Sequence, residues 1–113
     1  MKRTVSVLLL LLAGYAQSAA GQQPAADNLN EQQRLGRQIV AQACGVCHLP
    51  PAKGARTYGP ALTKGAGGGD ENVVREYIIN GTPRMPSFKY FLQPNEIDAV
   101  IAYLKTVPVP ANK

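Results

Sequence analysis

The chain has 113 residues, of which 45% are hydrophobic and 17% are charged, and this length allows one domain with a limited hydrophobic core. Twelve Lys and Arg residues against seven Asp and Glu residues give a net charge of +5, and two of the basic residues lie in an N-terminal segment that we expect to be removed. The remaining excess of positive charge is small, so it predicts a mildly basic, soluble surface and no binding to nucleic acid.

The first 20 residues have the pattern of a secretory signal peptide. A positively charged start is followed by an apolar stretch at residues 5–12 and by small residues at 18–20. An uncleaved transmembrane anchor is the alternative, but the apolar stretch is shorter than the ~20 residues that cross a bilayer. The pattern therefore predicts export, with cleavage near Ala20 and no stable membrane insertion afterwards.

The segment that follows leads into a predicted helix. Residues 21–29 are rich in Gln, Ala, Pro and Asn, which predicts a flexible lead-in. Asn30 is a favourable N-cap, and Gln33 three residues later completes a capping box, so a helix is predicted over residues 31–43. Gly36 interrupts this helix at a cost of up to ~1 kcal/mol relative to alanine, which predicts that another backbone approaches closely at this point.

The predicted helix runs into the sequence Cys44-Gly45-Val46-Cys47-His48, which is the C-x-x-C-H attachment signature of a c-type haem. Both thiols can add to the vinyl groups of one haem, and the adjacent imidazole can then bind the iron. The chain contains no other cysteine and no other histidine, so no second set of side chains competes for this chemistry.

Three other roles for the two cysteines and the histidine have to be compared with haem attachment. A thioredoxin-like dithiol needs a β-α-β context, and no such pattern surrounds the motif. A zinc site normally takes four ligands, and this chain offers only three Cys and His residues. A disulfide between Cys44 and Cys47 would close a very small loop and stabilise little. We therefore predict one haem c, covalently bound through Cys44 and Cys47, in a periplasmic protein.

The rest of the chain is predicted to contain two more helices joined by loops. Residues 49–69 hold many prolines and glycines, which predicts a loop without a long regular element. Asp70 is a good cap for a helix over residues 71–80, and Gly81 is expected to end it in the left-handed conformation. A last helix is predicted over residues 94–106, with an apolar stripe on one side. No segment alternates as a strand would, so the predicted fold is all-α.

Met85 lies between these two helices, in a stiff loop with prolines nearby on both sides. Filling a core is the common use of a methionine, but this one stands in a Pro-rich loop rather than on a helix stripe. Its thioether is a soft, neutral ligand, and His/Met ligation raises a haem potential. We therefore predict that Met85 and His48 are the two axial ligands of the iron.

Four sequence matches, in chain order, resemble the class I cytochromes c of the small bacterial kind. They are Gly36 and Val40 ahead of the haem motif, Tyr58-Gly59-Pro60-Ala61-Leu62, Arg84-Met85-Pro86, and Ile101-Ala102-Tyr103-Leu104-Lys105. One departure is Val40, because the family places an aromatic residue there. The resemblance implies a fold of three to four helices and long loops wrapped around one covalently attached haem, with residues 30–113 as the monohaem domain. It also implies that the first and last helices touch near Gly36 and Tyr103.

The resemblance further implies roles for individual residues around the haem. The carbonyl of Pro60 accepts a hydrogen bond from the axial imidazole, which orients that ring. Six residues are accordingly expected to bind the cofactor: Cys44, Cys47, His48, Gly59, Pro60 and Met85.

These expectations together predict a periplasmic one-electron carrier of a respiratory chain rather than an enzyme. Its partners would be redox proteins, such as a periplasmic dehydrogenase, oxidase or reductase. Two alternatives stay open: a subunit held permanently by a dehydrogenase, and a haem enzyme or sensor with an open iron site. Basic side chains near the exposed haem edge would steer docking, and the candidates are Lys53, Arg56, Lys64, Arg84 and Lys89.

Overall fold

The computed structural model describes residues 27–111. The expected signal peptide, residues 1–20, lies outside the described residues, as does most of the predicted lead-in. Within residues 27–111 the regular elements are helices and helical turns, and no strand is present. The prediction of an all-α fold is therefore confirmed. No helix in this part of the chain has both the length and the apolar character needed to cross a bilayer.

The described part of the chain contains four α-helices and two short turns of other helical types. The α-helices are α1 (Glu31–Ile39), α2 (Gly45–His48), α3 (Glu71–Asn80) and α4 (Pro94–Leu104). A π-helical turn, Val40–Cys44, joins α1 to α2, and a 3₁₀ turn, Ala66–Gly69, precedes α3.

The chain is helical throughout the predicted range 31–43, but over its last four residues the helix is not an α-helix. The α-helix ends at Ile39, and the chain widens into the π-helical turn before α2 begins. A π-helical turn holds one more residue than an α-helical turn, so it changes the direction in which the following residues point. The haem motif is thereby rotated relative to the part of α1 that carries Gly36.

Two helix starts are capped by the side chains that the sequence predicted. The Asn30 side chain accepts a hydrogen bond from the Gln33 N–H at 2.9 Å, and the Gln33 side chain accepts one from the Asn30 N–H at 3.0 Å. Asp70 accepts from the Asn72 N–H at 2.8 Å and caps α3. These contacts are local in sequence and satisfy N–H groups that a helix start leaves without partners.

Helix α1 packs against α4, and Gly36 is the point of closest approach. A Cβ added at Gly36 would lie 1.9 Å from the carbonyl oxygen of Ala99 and 2.8 Å from the Cβ of Tyr103. Both the predicted backbone contact and its location near Tyr103 are therefore confirmed. The buried core that forms around this crossing consists of Ile39, Val40, Ile78, Ile97, Val100, Ile101 and Leu104.

Candidate haem-binding site

One cavity of about 630 Å³ brings together all six of the predicted cofactor-binding residues. They enter it from the π-helical turn, from α2 and from two long loops: Cys44, Cys47, His48, Gly59, Pro60 and Met85. Apolar side chains supply most of the remaining wall: Ala43, Leu62, Val74, Ile78, Phe88, Val100 and Leu104. A cavity of this size, mostly apolar with a few polar groups, is typical of a bound cofactor.

His48 is the last residue of α2, and its imidazole is held by the loop that follows. Its Nδ1 lies 2.7 Å from the carbonyl oxygen of Pro60. Because a carbonyl can only accept a hydrogen bond, Nδ1 carries the proton and Nε2 is left as a free electron-pair donor. The contact that the resemblance implied is thus present, and it leaves the imidazole in the form that binds a metal.

Gly59 lies so close to the His48 ring that a side chain would not fit. A Cβ at this position would be 2.6 Å from Cε1 and 2.7 Å from Nδ1 of His48. The Gly59 N–H also donates to the carbonyl oxygen of Cys47 at 2.7 Å, which holds the loop against the haem motif. Gly59 therefore acts by letting the Pro60 carbonyl reach the imidazole.

We expect Gly59→Ala to disturb the histidine without removing any ligand. The added methyl group overlaps the ring, so it should displace the imidazole from Pro60 and destabilise the haem-loaded protein by ~1–3 kcal/mol. Denaturant unfolding and a redox titration of the purified holoprotein measure both effects. Gly65→Ala is the matched control, because it adds the same methyl group elsewhere on the cavity wall, where its nearest contact is Cγ2 of the half-exposed Val109 at 3.1 Å and not the His48 ring. Equal stability and potential in the two variants would contradict this role of Gly59.

The two cysteines lie at intermediate exposure and are not joined by a disulfide. Burial raises the pKa of the Cys44 thiol above its ordinary value, and the neighbouring Cys47 raises it further. A redox-active dithiol has the opposite property, since its reactive thiol has a lowered pKa. This environment argues against the dithiol alternative and leaves both sulfurs available for thioether bonds.

Met85 reaches the cavity from the loop between α3 and α4, and its backbone is held on both sides. The Thr82 N–H donates to the Met85 carbonyl at 2.8 Å, and the Met85 N–H donates to the Thr82 carbonyl at 3.2 Å. Gly81 ends α3 with the positive φ of 72° that was predicted for a glycine stop, but its ψ of −169° is extended and not that of an αL cap. A Cβ at Gly81 would lie 2.5 Å from the Met85 carbonyl oxygen, so no side chain fits at this position.

The donor set of this cavity fits a covalently attached haem. Two thiols and an imidazole come from one helical segment, and a thioether comes from a separate loop that lines the same space. The wall between them is mainly apolar, as a porphyrin requires. Met85 also packs against the buried core, so it serves as a core residue while its binding to iron stays a prediction.

The five basic residues predicted to steer docking are all exposed, and they lie on the two long loops. Only Arg84 lines the cavity itself, where its guanidinium group lies 4.8 Å from the centre of the Tyr58 ring.

Sequence reasoning did not single out the apolar wall of the cavity. The sequence feature that could have revealed this wall is the apolar stripe along one side of α4. Such a stripe shows which residues are buried, but it does not show which of them face a cofactor and which face another helix.

Comparison with known proteins places this chain among the cytochromes c. Residues 31–104 match the family model described as "Cytochrome C oxidase, cbb3-type, subunit III". A solved structure, the c-type cytochrome SorU from Sinorhizobium meliloti, is 31% identical, with a TM-score of 0.52 over 67% of this chain and 90% of that chain. No curated protein matches the chain. Because the family match spans α1 to α4, including the haem motif and the Met85 loop, the chain belongs to this family and is a class I cytochrome c.

Proposed function

We propose that this cytochrome is a periplasmic one-electron carrier whose haem c is bound by Cys44 and Cys47 and ligated by His48 and Met85. The observation that supports the proposal most directly is the convergence of these four side chains on one apolar cavity. Membership of the cytochrome c family supports haem-based electron transfer, and the signal-peptide pattern of residues 1–20 supports export. We propose no enzymatic activity of its own and no binding to nucleic acid.

The protein side chains would favour fast electron exchange by holding both axial positions in place. When bound, the haem supplies an iron that alternates between the ferric and ferrous states. Pro60 fixes the orientation of His48, and the paired hydrogen bonds with Thr82 fix the backbone of Met85. Rigid ligands keep the geometry similar in both states, so each electron causes little reorganisation. The apolar wall and the thioether both favour the reduced form and raise the potential.

The basic residues of the described chain fall into two groups, which supports a docking role for the loops. Those on helices or directly after one are in ion pairs with acidic residues: Arg34 and Arg37 with Asp27, Arg75 with Asp98, and Lys105 with Glu71. Those on the two long loops form no ion pair within residues 27–111: Lys53, Arg56, Lys64, Arg84 and Lys89. This excess of positive charge on the loops would attract an acidic partner and make the association rate fall with salt.

Optical and redox titration of the protein made in a host that attaches c-type haem tests this proposal. We expect a low-spin haem, the weak ferric band that reports sulfur ligation, and no binding of carbon monoxide by the ferrous protein at neutral pH. A colourless product with unmodified thiols would contradict the proposal. Ready binding of carbon monoxide would favour an enzyme or a sensor with an open iron site.

Two further measurements separate the remaining alternatives. Size-exclusion chromatography of native periplasm distinguishes a free carrier, which should elute alone, from a permanent subunit of a dehydrogenase. N-terminal sequencing of the same material should begin near Gly21, and an intact Met1 would contradict cleavage.

A further inference from the structure

The loop between Met85 and α4 exposes two neighbouring aromatic side chains. Lys89, Tyr90 and Phe91 form the tip of this loop, which we call the aromatic turn; 84% of Tyr90 and 78% of Phe91 are exposed. Rings left in water contribute little to the stability of the fold, because their apolar area stays unburied. Adjacent exposed aromatic residues are instead common at protein–protein contacts, where they supply much of the binding energy.

The aromatic turn is held in a defined conformation by backbone hydrogen bonds. The N–H groups of Phe91 and Leu92 both donate to the Phe88 carbonyl at 2.9 Å, and the Phe88 N–H donates to the carbonyl of Ile78 in α3 at 2.9 Å. The two exposed rings therefore stand on a backbone that is tied to the core. A surface that is ordered before binding loses less conformational entropy when a partner covers it.

Two aromatic rings connect this turn to the haem cavity. Phe88 lines the cavity and packs against the buried core. The Phe91 ring contacts Phe88 edge to face, with a centroid distance of 6.5 Å and an interplanar angle of 69°. A partner that sat on Phe91 would thus be separated from the cavity only by these two rings, on the side of the protein that carries Met85.

The charges near the aromatic turn indicate what kind of surface it would contact. The Lys89 ammonium group lies 4.8 Å from the centre of the Tyr90 ring. Residues 81–93 include Arg84 and Lys89 but no acidic residue, and neither cation has an ion-pair partner among the described residues. A complementary surface is therefore apolar at its centre, to cover the rings, and carries carboxylates at its edge.

We propose that the aromatic turn is a docking surface for a redox partner protein whose contact face is apolar and bordered by carboxylates. The proposal rests on the carrier function proposed above, since one electron crosses the contact and no covalent bond forms or breaks. The rival contact point is Val46, between the two cysteines, which lines the cavity and is 90% exposed.

Voltammetry of the holoprotein on a gold electrode tests this proposal without a known partner. The electrode is coated with mixed methyl-terminated and carboxylate-terminated thiols, which reproduce the apolar and acidic chemistry of the proposed contact. For the Tyr90→Ser/Phe91→Ser double variant we expect about a tenfold smaller adsorption constant, which corresponds to ~1.4 kcal/mol, and slower electron transfer at equal coverage. Val46→Ser, the variant at the rival contact point, should lose less adsorption than the double variant.

Solution measurements show whether the double variant affects docking alone. Its haem spectrum and its rate of oxidation by hexacyanoferrate(III) should equal those of the wild type, because the two rings are exposed. Its unfolding midpoint should fall only slightly, since the edge-to-face contact of Phe91 with Phe88 is the packing that it loses. A slower reaction with this small anion would overturn the proposal, since the turn would then act on the haem site.

Four other outcomes would overturn the proposal. Equal adsorption of the wild type and the double variant would show that the aromatic turn does not bind the surface, and a larger loss in Val46→Ser would place the contact at Val46. A wild-type dimer, or binding of the wild type to phosphatidylglycerol vesicles, would assign the turn to self-association or to a membrane surface if the double variant abolished it. A wild type that is colourless or binds carbon monoxide would contradict the carrier function instead. A coloured wild type that does not bind carbon monoxide, with no effect of the double variant, would contradict the docking surface alone.

Discussion

Replacing Met85 with alanine should leave the haem attached while opening one axial position of the iron. Cys44, Cys47 and His48 lie on a separate segment of the chain, so the proposed thioether bonds and the proposed ligation by His48 should not depend on Met85. The potential should fall, because a thioether favours the ferrous state and axial ligands set haem potentials over a range of about 0.8 V. The ferric band of sulfur ligation should disappear, and the ferrous variant should bind carbon monoxide.

Met85→His is the informative control for this variant. A second imidazole would restore a six-coordinate, low-spin haem and block carbon monoxide, yet the potential should remain below that of the wild type. Optical spectra and potentiometric titration of the three proteins measure each of these effects. If Met85→Ala kept the wild-type potential and still excluded carbon monoxide, Met85 would be a core residue only.

Gly36→Ala should destabilise the protein by forcing α1 and α4 apart. The added Cβ would lie 1.9 Å from the Ala99 carbonyl oxygen and 2.5 Å from the Ala99 carbonyl carbon. Those atoms belong to the backbone of α4, so they cannot rotate away, and the two helices would have to separate. We expect a loss of ~1–3 kcal/mol in the free energy of unfolding, after the gain of up to ~1 kcal/mol in helix propensity.

Gly45→Ala is the matched control, because Gly45 is also helical and has ordinary negative φ. Its nearest contact would be the Cδ1 atom of Leu49 at 3.3 Å, on a flexible side chain. Its stability should therefore stay within ~0.5 kcal/mol of the wild type. Denaturant unfolding of the ferric holoproteins gives both values, and a Gly36→Ala variant as stable as Gly45→Ala would contradict the tight crossing of α1 and α4.

Much of the candidate site was predictable because its residues are neighbours in sequence or members of short motifs. The haem motif places two thiols and an imidazole within five consecutive residues, so their proximity does not depend on the rest of the chain. Gly36 was predicted to meet a backbone because a glycine in a helix is unfavourable without such a reason. The hydrogen bond from His48 to Pro60 came from the family resemblance and not from spacing, since the two residues are twelve positions apart.

Local hydrogen bonds, hydrophobic periodicity and adjacency in the chain were enough to predict the helix starts at Asn30 and Asp70, the all-α class, and Cys44, Cys47 and His48 as candidate haem-binding residues. Three features could be seen only in the folded chain: the π-helical turn, the extended ψ of Gly81 and the exposure of Tyr90 and Phe91. The physical reason is that each of these depends on distant parts of the chain. The π-helical turn orients the haem motif while Gly36 stays against α4, and Gly81 lies directly beside the Met85 backbone. Phe88 takes the half-buried place beside the cavity, which leaves Tyr90 and Phe91 in solvent.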